Sequence, residues 1–418
     1  MSRQTFKQVR VIDPQSSTDQ SCDLHVHNQN IVGVNDASFA VDQEHSGEGL
    51  WLIPAAVDFG YRGDLRSLSA IGAELGAAAR GGSAHLVMEP AGTSVIDDAA
   101  EVRDLKARAK HHDGARLHVI GAVSSNLQHR SLAAMSTLRE AGCIAVGDGG
   151  QSIDDTNLLI RMLQYAQSLD LTVFLTPLDS RLANGCVHAG RVSTRLGLNG
   201  IPSSAETMGL ARIIESVRAT SARVHVMRLS TAEGVELVRN ARREGLPITA
   251  DVAIHHLYLT ENDIGPFDAR FHVQPPLRTL SDRDALLAGV VDGTIDVICS
   301  QHTPLGRDAR LAPFAVTDPG IAGAQTLMPL VLQLVLDGRL PLDRAIDATS
   351  TQPATICKLN HATSLKPDDK ATFCLIDPND DGQIDSEHWH SLGHNSPFSD
   401  WVFRARVVST WFKGRQIA

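Results

Sequence analysis

Short apolar runs that are typical of buried strands recur eight times between residues 51 and 299 of this 418-residue sequence. They cover residues 51–58, 84–88, 117–123, 143–147, 171–175, 224–229, 247–252 and 294–299. Stretches with helical periodicity lie between most of them, at residues 65–80, 97–110, 132–141, 154–170, 204–219 and 232–243. This alternation of buried strands and helical crossovers predicts an α/β fold built as a (β/α)8 TIM-like barrel.

The segments on both sides of this alternation follow a different pattern. Residues 5–50 alternate short strand-like runs with polar turns, and two more strand-like runs follow at residues 371–376 and 405–411. Runs of this kind, bounded by turn residues, indicate short strands. We therefore predict that both termini join in one small composite β-sandwich. The predicted domains are residues 1–50 and 361–418 for the two parts of the sandwich and residues 51–360 for the barrel.

The composition is that of a globular protein with a sizeable core, with 43% hydrophobic and 21% charged residues. The net charge of −10 is spread along the chain without a basic stripe, which argues against nucleic-acid binding. The longest apolar run, residues 327–336, is too short to span a bilayer, so no membrane association is expected. The six cysteines are scattered, and the start of the sequence lacks a signal segment. We therefore expect a cytoplasmic protein with reduced thiols.

The last predicted barrel strand is followed by the motif Gln301-His302-Thr303-Pro304-Leu305. Barrels place chemistry where their strands end in loops. Further short motifs, several of them at such junctions, occupy residues 77–82, 196–202, 205–206, 255–257, 275–278, 292–296 and 395–398. Together these segments resemble the dihydroorotase branch of the amidohydrolase superfamily, almost from end to end of the chain. The resemblance implies an amidohydrolase-type barrel, in which the eighth strand ends in Asp-His-Ala-Pro-His.

The resemblance also implies where a metal site would lie. Dihydroorotases reversibly close carbamoyl-aspartate into a ring, with one or two zinc ions that activate a water molecule. Their first barrel strand ends in Asp-x-His-x-His, followed by an arginine that holds the substrate. In this sequence the two histidine positions are Gly60 and Arg62, and the arginine position is Asp64. Glycine offers no ligand atom, and an arginine brings a fixed positive charge to a place where a dication should bind.

The other positions that the resemblance implies have changed as well. The ligand positions on the fifth and sixth strands are Thr176 and Arg228, and the catalytic carboxylate of the eighth strand is Gln301. A glutamine amide does not act as a base at neutral pH. The remaining changed positions are Pro90, Gln274 and Leu305. We therefore predict neither catalytic residues nor metal ligands at these degenerate positions.

Three residues of the implied site are retained. Asp148 lies in the motif Gly-Asp-Gly-Gly and is a candidate vestigial metal ligand, although an aspartate among glycines is also typical of a turn. His302 is either a vestigial site residue or a hydrogen-bonded core histidine, and His225 remains from the sixth-strand motif. One aspartate flanked by two arginines does not supply the three or four ligands that zinc needs.

A second apparent metal motif lies near the start of the chain. Asp23-Leu24-His25-Val26-His27 has the Asp-x-His-x-His spacing, but it precedes the first barrel strand. Both histidines point to one face of a strand. When the sequence is aligned with the motifs of the family that it resembles, this segment is an accessory strand that precedes the barrel. We therefore interpret His25 and His27 as surface or sandwich histidines.

The main hypothesis is a catalytically inactive dihydroorotase-like protein that acts as a structural subunit without a cofactor. Some bacteria carry inactive dihydroorotase-like chains that assemble with aspartate carbamoyltransferase, and this sequence resembles those chains. We therefore expect the catalytic chain of that transferase as a partner in pyrimidine biosynthesis. The assembly would be a homo- or hetero-oligomer.

Two alternatives remain open. The first is an active metal-dependent amidohydrolase with a rebuilt site for cyclic amides, which would use zinc together with Asp148, His225 and His302. The second is a protein that binds a small anion between Arg62 and Arg228, because paired arginines suit a carboxylate or phosphate. The second alternative requires that these arginines are not already paired with acids inside the protein, such as Asp64 or Asp148.

Overall fold

The computed structural model describes residues 2–36, 38–64, 67–91, 95–359, 363–384 and 388–418. Within them the strands, β1 to β20 in chain order, are Arg3–Asp13, Thr18–His27, Asn30–Val34, Gln43–Ser46, Trp51–Pro54, Ala56–Tyr61, Ser83–Met88, Arg116–Ala122, Ala145–Gly147, Val173–Leu175, Val187–His188, Gly200–Ile201, Val224–Val226, Ile248–Ala253, Val297–Cys299, Phe373–Asp377, Gly382–Gln383, Val402–Phe403, Arg406–Phe412 and Arg415–Gln416. The helices, α1 to α11, are Leu68–Arg80, Ala99–Ala109, Met135–Ala141, Thr156–Ser168, Arg191–Leu196, Ser203–Thr220, Ala232–Arg243, Leu280–Val291, Leu327–Leu336, Leu342–Ile346 and Gln352–Ile356.

Eight parallel strands form the barrel, in the order β6-β7-β8-β9-β10-β13-β14-β15. Helices connect most of them in sequence. The strands are covered on both sides, and in β7 every residue from Ser83 to Met88 is buried. Burial on both faces explains why these strands read as unbroken apolar runs in the sequence. The predicted (β/α)8 barrel is therefore confirmed.

The first and last barrel strands are joined at their carboxyl ends. Asp58 in β6 accepts hydrogen bonds from the backbone amide and the hydroxyl of Ser300, at 2.8 and 2.6 Å. Just beyond, the Arg62 amide donates to the His302 carbonyl oxygen at 2.8 Å. Burial raises the pKa of Asp58 to about 6. These bonds bring the residues that follow β6 next to those that follow β15.

A second sheet contains strands from both ends of the chain. Its order is β20-β19-β16-β5-β1-β2-β3, and β4 pairs with β1. The predicted single strand at residues 51–58 is in fact two strands, because β5 pairs with β1 and β16 in this terminal sheet while β6 belongs to the barrel. The chain changes sheets directly after Pro54, a residue that has no amide hydrogen to donate to a strand ladder.

An aromatic cluster holds the two ends of the chain together in the terminal sheet. The ring of Phe6, from β1, lies edge-on to the rings of Phe373 and Trp411, with both centroid distances at 5.0 Å. Phe6 and Phe373 are fully buried. Edge-to-face contacts of this kind add to the free energy gained from burial alone. The N-terminal and C-terminal strands therefore share one hydrophobic core.

In the part of the chain that the structure describes, no helix combines the length and the apolar character required to cross a membrane. The apolar helix α9 has ten residues, and its buried side chains pack in the main hydrophobic core.

The shared aromatic core predicts energetic coupling between the two ends of the chain. We expect Phe6→Ala and Phe373→Ala each to lower the free energy of unfolding by about 3–5 kcal/mol. In a double-mutant cycle the two changes should couple by about 0.5–1.5 kcal/mol, because they remove the same ring contact. Urea unfolding followed by circular dichroism measures these values.

The matched control is the pair Phe6→Ala and Phe398→Ala. Phe398 is also buried, but it packs against Tyr258 and Trp401 in a different cluster. Its effect should add to that of Phe6→Ala without coupling. Strict additivity of Phe6→Ala and Phe373→Ala would contradict the shared core.

Candidate functional site

The loops at the carboxyl ends of the barrel strands form the face that carries active sites in barrels of this kind. We call this face the barrel mouth. The positions singled out from the sequence lie on it or directly below it: Gly60, Arg62 and Asp64 at β6, Pro90 after β7, Asp148 after β9, Thr176 after β10, His225 and Arg228 at β13, Gln274 after β14, and Gln301, His302 and Leu305 after β15.

A buried carboxylate, that of Glu89, lies between the two arginines of the mouth. Arg62 Nε donates to Glu89 Oε2 at 2.7 Å, and Arg228 Nη1 donates to Glu89 Oε1 at 3.1 Å. The Glu89 side chain is 1% exposed and that of Arg228 is 4% exposed. Burial and the neighbouring Arg228 guanidinium lower the pKa of Arg62. An arginine nevertheless keeps its proton, so two fixed positive charges meet one negative charge.

Glu89 was not singled out from the sequence. The sequence offers Asp64 and Asp148 as acid partners of the arginines, and in this segment the resemblance marks Pro90 as the changed position. A lone glutamate after a strand has no motif to mark it. Because each oxygen of Glu89 contacts one arginine, a carboxylate of the protein itself already occupies the place considered for an external anion.

Asp148 is held by donors from its own loop and from the next strand. Its Oδ2 accepts the Thr176 amide at 2.6 Å, and its Oδ1 accepts the Thr176 hydroxyl at 3.0 Å and the Gly150 amide at 2.8 Å. Thr176 Oγ1 in turn accepts a hydrogen bond from Arg228 Nη2 at 3.2 Å. Burial raises the pKa of Asp148 to about 6, although these hydrogen bonds and Arg228 act in the opposite direction. The aspartate is therefore both a turn residue and a link between two strand ends.

The backbone of Gly60 has a conformation that suits glycine. Its φ is +84°, in the left-handed region that side chains rarely adopt. A Cβ atom there would lie 3.1 Å from the Cα of Gln301. Gln301 itself has a φ of +50°, and its Nε2 donates to the Gln274 carbonyl at 2.7 Å. A histidine at position 60 would therefore need the first and eighth strand ends to shift apart.

His302 is a buried histidine with both ring nitrogens engaged. Its Nδ1 accepts the Gly323 amide at 3.1 Å, so the proton is on Nε2, which donates to Glu74 at 2.7 Å. The ring also stacks on Tyr61 at a centroid distance of 5.4 Å. Glu74 accepts the Leu392 amide as well, at 3.0 Å. His302 thus links the eighth strand to α1 and to the C-terminal segment.

His225 lies inside the barrel, below the mouth. Its ring bonds to the Thr249 hydroxyl at 2.8 Å and to Asp251 at 2.9 Å. The other oxygen of Asp251 accepts the Arg228 amide at 2.7 Å. The ring also packs against Phe174 at 4.7 Å. These contacts fix the junction between β13 and β14, and Arg228 there has a left-handed φ of +61°.

The remaining changed positions form parts of the loop framework. The Pro90 carbonyl accepts the Ile96 amide at 3.0 Å, and the Leu305 amide donates to Asn395 at 2.9 Å.

Asp64 is partly buried. Burial raises the pKa of Tyr61, and the carboxylates of Glu74 and Asp64 raise it further.

The residues at the mouth do not fit a zinc ion. Among the residues that the structure describes, no group of three His, Cys, Asp or Glu side chains is placed to hold a metal. The oxygens of Asp148 are occupied by amide and hydroxyl donors, and two guanidinium groups lie beside it. Zinc needs several N, O or S ligands in a compact arrangement.

Little open space remains between these side chains. The cavity at the mouth has a volume of about 20 Å³, and Arg62, Thr176, Arg228, Gln274 and Arg278 line it. A volume of this size suits one or two water molecules. The mouth is filled by the protein's own polar groups.

The second apparent metal motif lies in the terminal sheet. His25 and His27 are part of β2, and His25 is 4% exposed. The His25 ring bonds to the Thr5 hydroxyl at 2.9 Å and accepts the Asp36 amide at 3.0 Å. It also contacts Phe39 at a centroid distance of 4.7 Å. His25 is therefore a buried residue that packs within the terminal sheet.

Comparison with solved structures defines the class of barrel. The structure superposes on an L-hydantoinase (dihydropyrimidinase) from Arthrobacter aurescens with a TM-score of 0.89, covering 100% of this chain and 96% of that one. The sequence identity is 18%, so the likeness concerns the fold. The protein is an amidohydrolase-type (β/α)8 barrel with an additional β-rich domain.

Sequence comparison identifies the family. The model of the Dihydro-orotase-like family matches residues 52–234. A dihydroorotase-like protein of Pseudomonas putida is 38% identical over 401 residues, which cover 93% of each chain. A dihydroorotase of Syntrophotalea carbinolica is 32% identical, over 97% of this chain and 96% of its own. The chain belongs to the dihydroorotase-like family, whose members include enzymes.

The position of Glu89 predicts a large effect of neutralising it. We expect Glu89→Gln to lower the free energy of unfolding by about 3–5 kcal/mol, because it leaves the buried Arg228 and the partly buried Arg62 without their counter-charge. Replacing Glu89, Arg62 and Arg228 together by methionine should recover part of this loss, since the three charges of the network are removed together while Asp148 loses its neighbouring guanidinium groups. Urea unfolding measures both variants.

The control is Glu44→Gln, which breaks an ion pair with Lys7 in which both side chains are about half exposed. An exposed pair of this kind contributes little to stability. Equal effects of Glu89→Gln and Glu44→Gln would show that the mouth network is not energetically important.

Proposed function

We propose that this protein is a catalytically inactive member of its family. The observation that carries the proposal is the position of Glu89, whose two oxygens bind Arg62 and Arg228. The resemblance implies metal ligands at these two arginine positions. In place of metal cations held by ligands, the mouth contains two guanidinium groups that are bound by one carboxylate.

The chemistry of cyclic amide hydrolysis supports the same proposal. The reaction needs an activated water molecule and a group that takes its proton. Gln301 has no basic atom, and its amide donates to Gln274. His302 is engaged on both ring nitrogens, and Asp148 accepts three hydrogen bonds. Among the described residues that line the cavity, none combines a free basic atom with space for a substrate.

We propose further that the protein serves as a structural subunit of an aspartate carbamoyltransferase assembly in pyrimidine biosynthesis. The support is the resemblance to inactive dihydroorotase-like chains that associate with that enzyme. The 38% identity to a chain named a dihydroorotase-like protein, against 32% to chains named dihydroorotases, supports it as well. All six cysteines are free and buried, which suits a role in the reducing cytoplasm.

A rebuilt amidohydrolase is the alternative, and one observation favours it. Asp148 is a buried carboxyl group whose pKa is raised to about 6, and groups with shifted pKa values are frequent at active sites. Metal analysis of the purified protein, together with a dihydroorotate hydrolysis assay, separates the two functions. Stoichiometric zinc with turnover would favour the alternative and contradict the main proposal.

We predict that restoring the eighth-strand carboxylate does not restore activity. Gln301→Asp should give no dihydroorotate hydrolysis above background, because Gly60 and Arg62 still supply no ligands. It should also lower stability by about 1–3 kcal/mol, since the new carboxylate faces the Gln274 carbonyl where an amide now donates. Gln301→Glu is the control in which the carboxylate is carried on a side chain of the same length as glutamine. It should also show no hydrolysis and a lowered stability. Activity gained by either variant would show that the rest of the site is intact.

We also predict a complex with the catalytic chain of aspartate carbamoyltransferase from the same organism. The two chains, co-expressed, should elute together in size-exclusion chromatography. Removal of this chain should change the size of the transferase assembly. Glu89→Gln, with its altered mouth but unchanged outer surface, is the control and should still bind when folded. The partner assignment would be contradicted if the two chains elute separately and the transferase activity is the same with and without this protein.

A further inference from the structure

Two histidines at the end of the barrel opposite the mouth are hydrogen-bonded to each other. His85 Nδ1 and His118 Nε2, from the neighbouring strands β7 and β8, are 2.8 Å apart. Val87 and Ile120, two residues further along the same strands, belong to one hydrophobic cluster with Phe174 of β10. Side chains two residues apart on a strand share a face. The histidine pair therefore lies on the inner face of the barrel wall, near the amino ends of the strands; we call this end the barrel floor.

The end of strand β19 covers the pair from the terminal sheet. The ring of Phe412, the last residue of β19, lies edge-on to the His85 ring at a centroid distance of 5.5 Å. Two residues earlier on β19, the Thr410 hydroxyl donates to the Ala79 carbonyl oxygen of α1 at 2.7 Å. The His85 side chain is buried. The pair is thus part of the joint between the barrel and the terminal sheet.

The hydrogen bond between the two rings requires a proton on one nitrogen and a free lone pair on the other. A protonated imidazole donates from both of its nitrogens. The other ring nitrogen of His85, Nε2, is buried and has no hydrogen-bond partner among the described residues. When both rings are protonated, two N–H groups face each other and the Nε2–H group of His85 has no acceptor. Full protonation therefore breaks the bond and costs free energy.

The charged groups that act on the pair, in the described part of the chain, are cations. They are Arg116 of β8, Lys106 of α2 and Lys413, which follows β19. On β6, the residue opposite His85 is the uncharged Val57. A proton added to the pair would therefore be a buried positive charge without a carboxylate to offset it.

These surroundings keep the covered pair neutral. Burial lowers the pKa of His85 well below its ordinary value, and burial lowers the pKa of His118 to about 4. A histidine that becomes exposed returns to a pKa of about 6.5. The stability of the covered arrangement is therefore complete above about pH 6.5 and falls as the pH drops towards about 4, because only the opened form takes up protons in this range.

We propose that the His85–His118 pair is an acid-sensitive latch, which holds the end of β19 on the barrel floor when it is neutral and releases it when it takes up protons. Phe412 is the side chain that leaves the floor on release. The inference rests on the joint between the barrel and the terminal sheet and does not depend on catalytic inactivity or on the transferase partner.

Hydrogen–deuterium exchange of the full-length protein, followed by mass spectrometry, tests the latch. Protection factors, which are corrected for the effect of pH on unprotected amides, measure local opening. Between about pH 7.5 and about pH 5, the protection factors of β19 and β20 should fall by at least about tenfold, since each histidine that gains a proton on opening favours the open form. Helix α6, which packs against α4 and α7, is the internal control and should keep its protection factors.

The double variant His85→Gln with His118→Gln removes the titrating groups and keeps polar side chains. Glutamine gains no proton in this pH range, so β19 and β20 should be equally protected at both pH values. The matched control is His272→Gln, because burial also lowers the pKa of His272 to about 4 but this residue bonds to Thr317 in a loop beside the mouth. The control variant should keep the acid response of the wild type.

A charge reversal tests the latch with both histidines in place. Arg116 is exposed and lies opposite His85 in the pairing of β7 and β8. Arg116→Glu should lower the pH midpoint of opening by at least about 0.5 unit, because a nearby carboxylate favours the protonated rings in the covered form. Arg243→Glu, at an exposed position of α7, makes the same change in net charge and should leave the midpoint unchanged.

Circular dichroism at neutral pH shows whether each variant is folded; if the double histidine variant is not, the comparison of the two arginine variants decides. Equal protection of wild-type β19 and β20 at both pH values would overturn the proposal. An acid response retained by the folded double variant, or equal midpoints in Arg116→Glu and Arg243→Glu, would overturn it as well. None of these measurements involves the transferase, so failures of the two proposals are distinguishable.

Discussion

The closure of the barrel depends on a buried carboxylate at the junction of its first and last strands. Asp58 accepts two hydrogen bonds from Ser300, one from the backbone and one from the hydroxyl. In the motif that the resemblance implies, this aspartate precedes the two metal-binding histidines. The residue that joins the strands is still present, whereas the two ligand positions are Gly60 and Arg62. One short motif thus contains an aspartate that joins two barrel strands and two further positions at which the fold does not need a metal-binding side chain.

The other retained residues of the site also form hydrogen bonds that hold the barrel together. His302 links Glu74 to the amide of Gly323, His225 bonds to Asp251, and Asp148 joins its own loop to Thr176. Each of them satisfies buried hydrogen-bonding groups, and such groups cost free energy when they lose their partners. A chain that lost its catalytic chemistry would therefore still be constrained at these positions. Buried hydrogen bonding can thus preserve the fingerprint of a family at positions where side chains other than the implied ligands stand.

The sequence predicts the architecture well because the architecture depends on repeated patterns. Eight apolar runs with helical crossovers predict a barrel, and turn-bounded runs at both ends predict the terminal strands. The change of sheet at Pro54 was missed, because the apolar run continues through it and no periodicity separates the two strands. Glu89 was missed for another reason. Its role comes from a position between two arginines on distant strands, and only the closed barrel brings the three residues together.

The network around Glu89 also explains why the mouth is closed. The guanidinium groups of the buried Arg228 and the partly buried Arg62 repel each other, and taking such groups out of water costs free energy unless a carboxylate is close. Glu89 binds both, and Gly149 and Thr176 each accept one further hydrogen bond, from Arg62 and Arg228 respectively. A substrate carboxylate entering the cavity would have to displace Glu89 and leave a buried negative charge without its partners. The interior of the barrel therefore favours its own internal ion pairs over an external ligand, and the surfaces left for recognition are the loops around the mouth and the outside of the barrel.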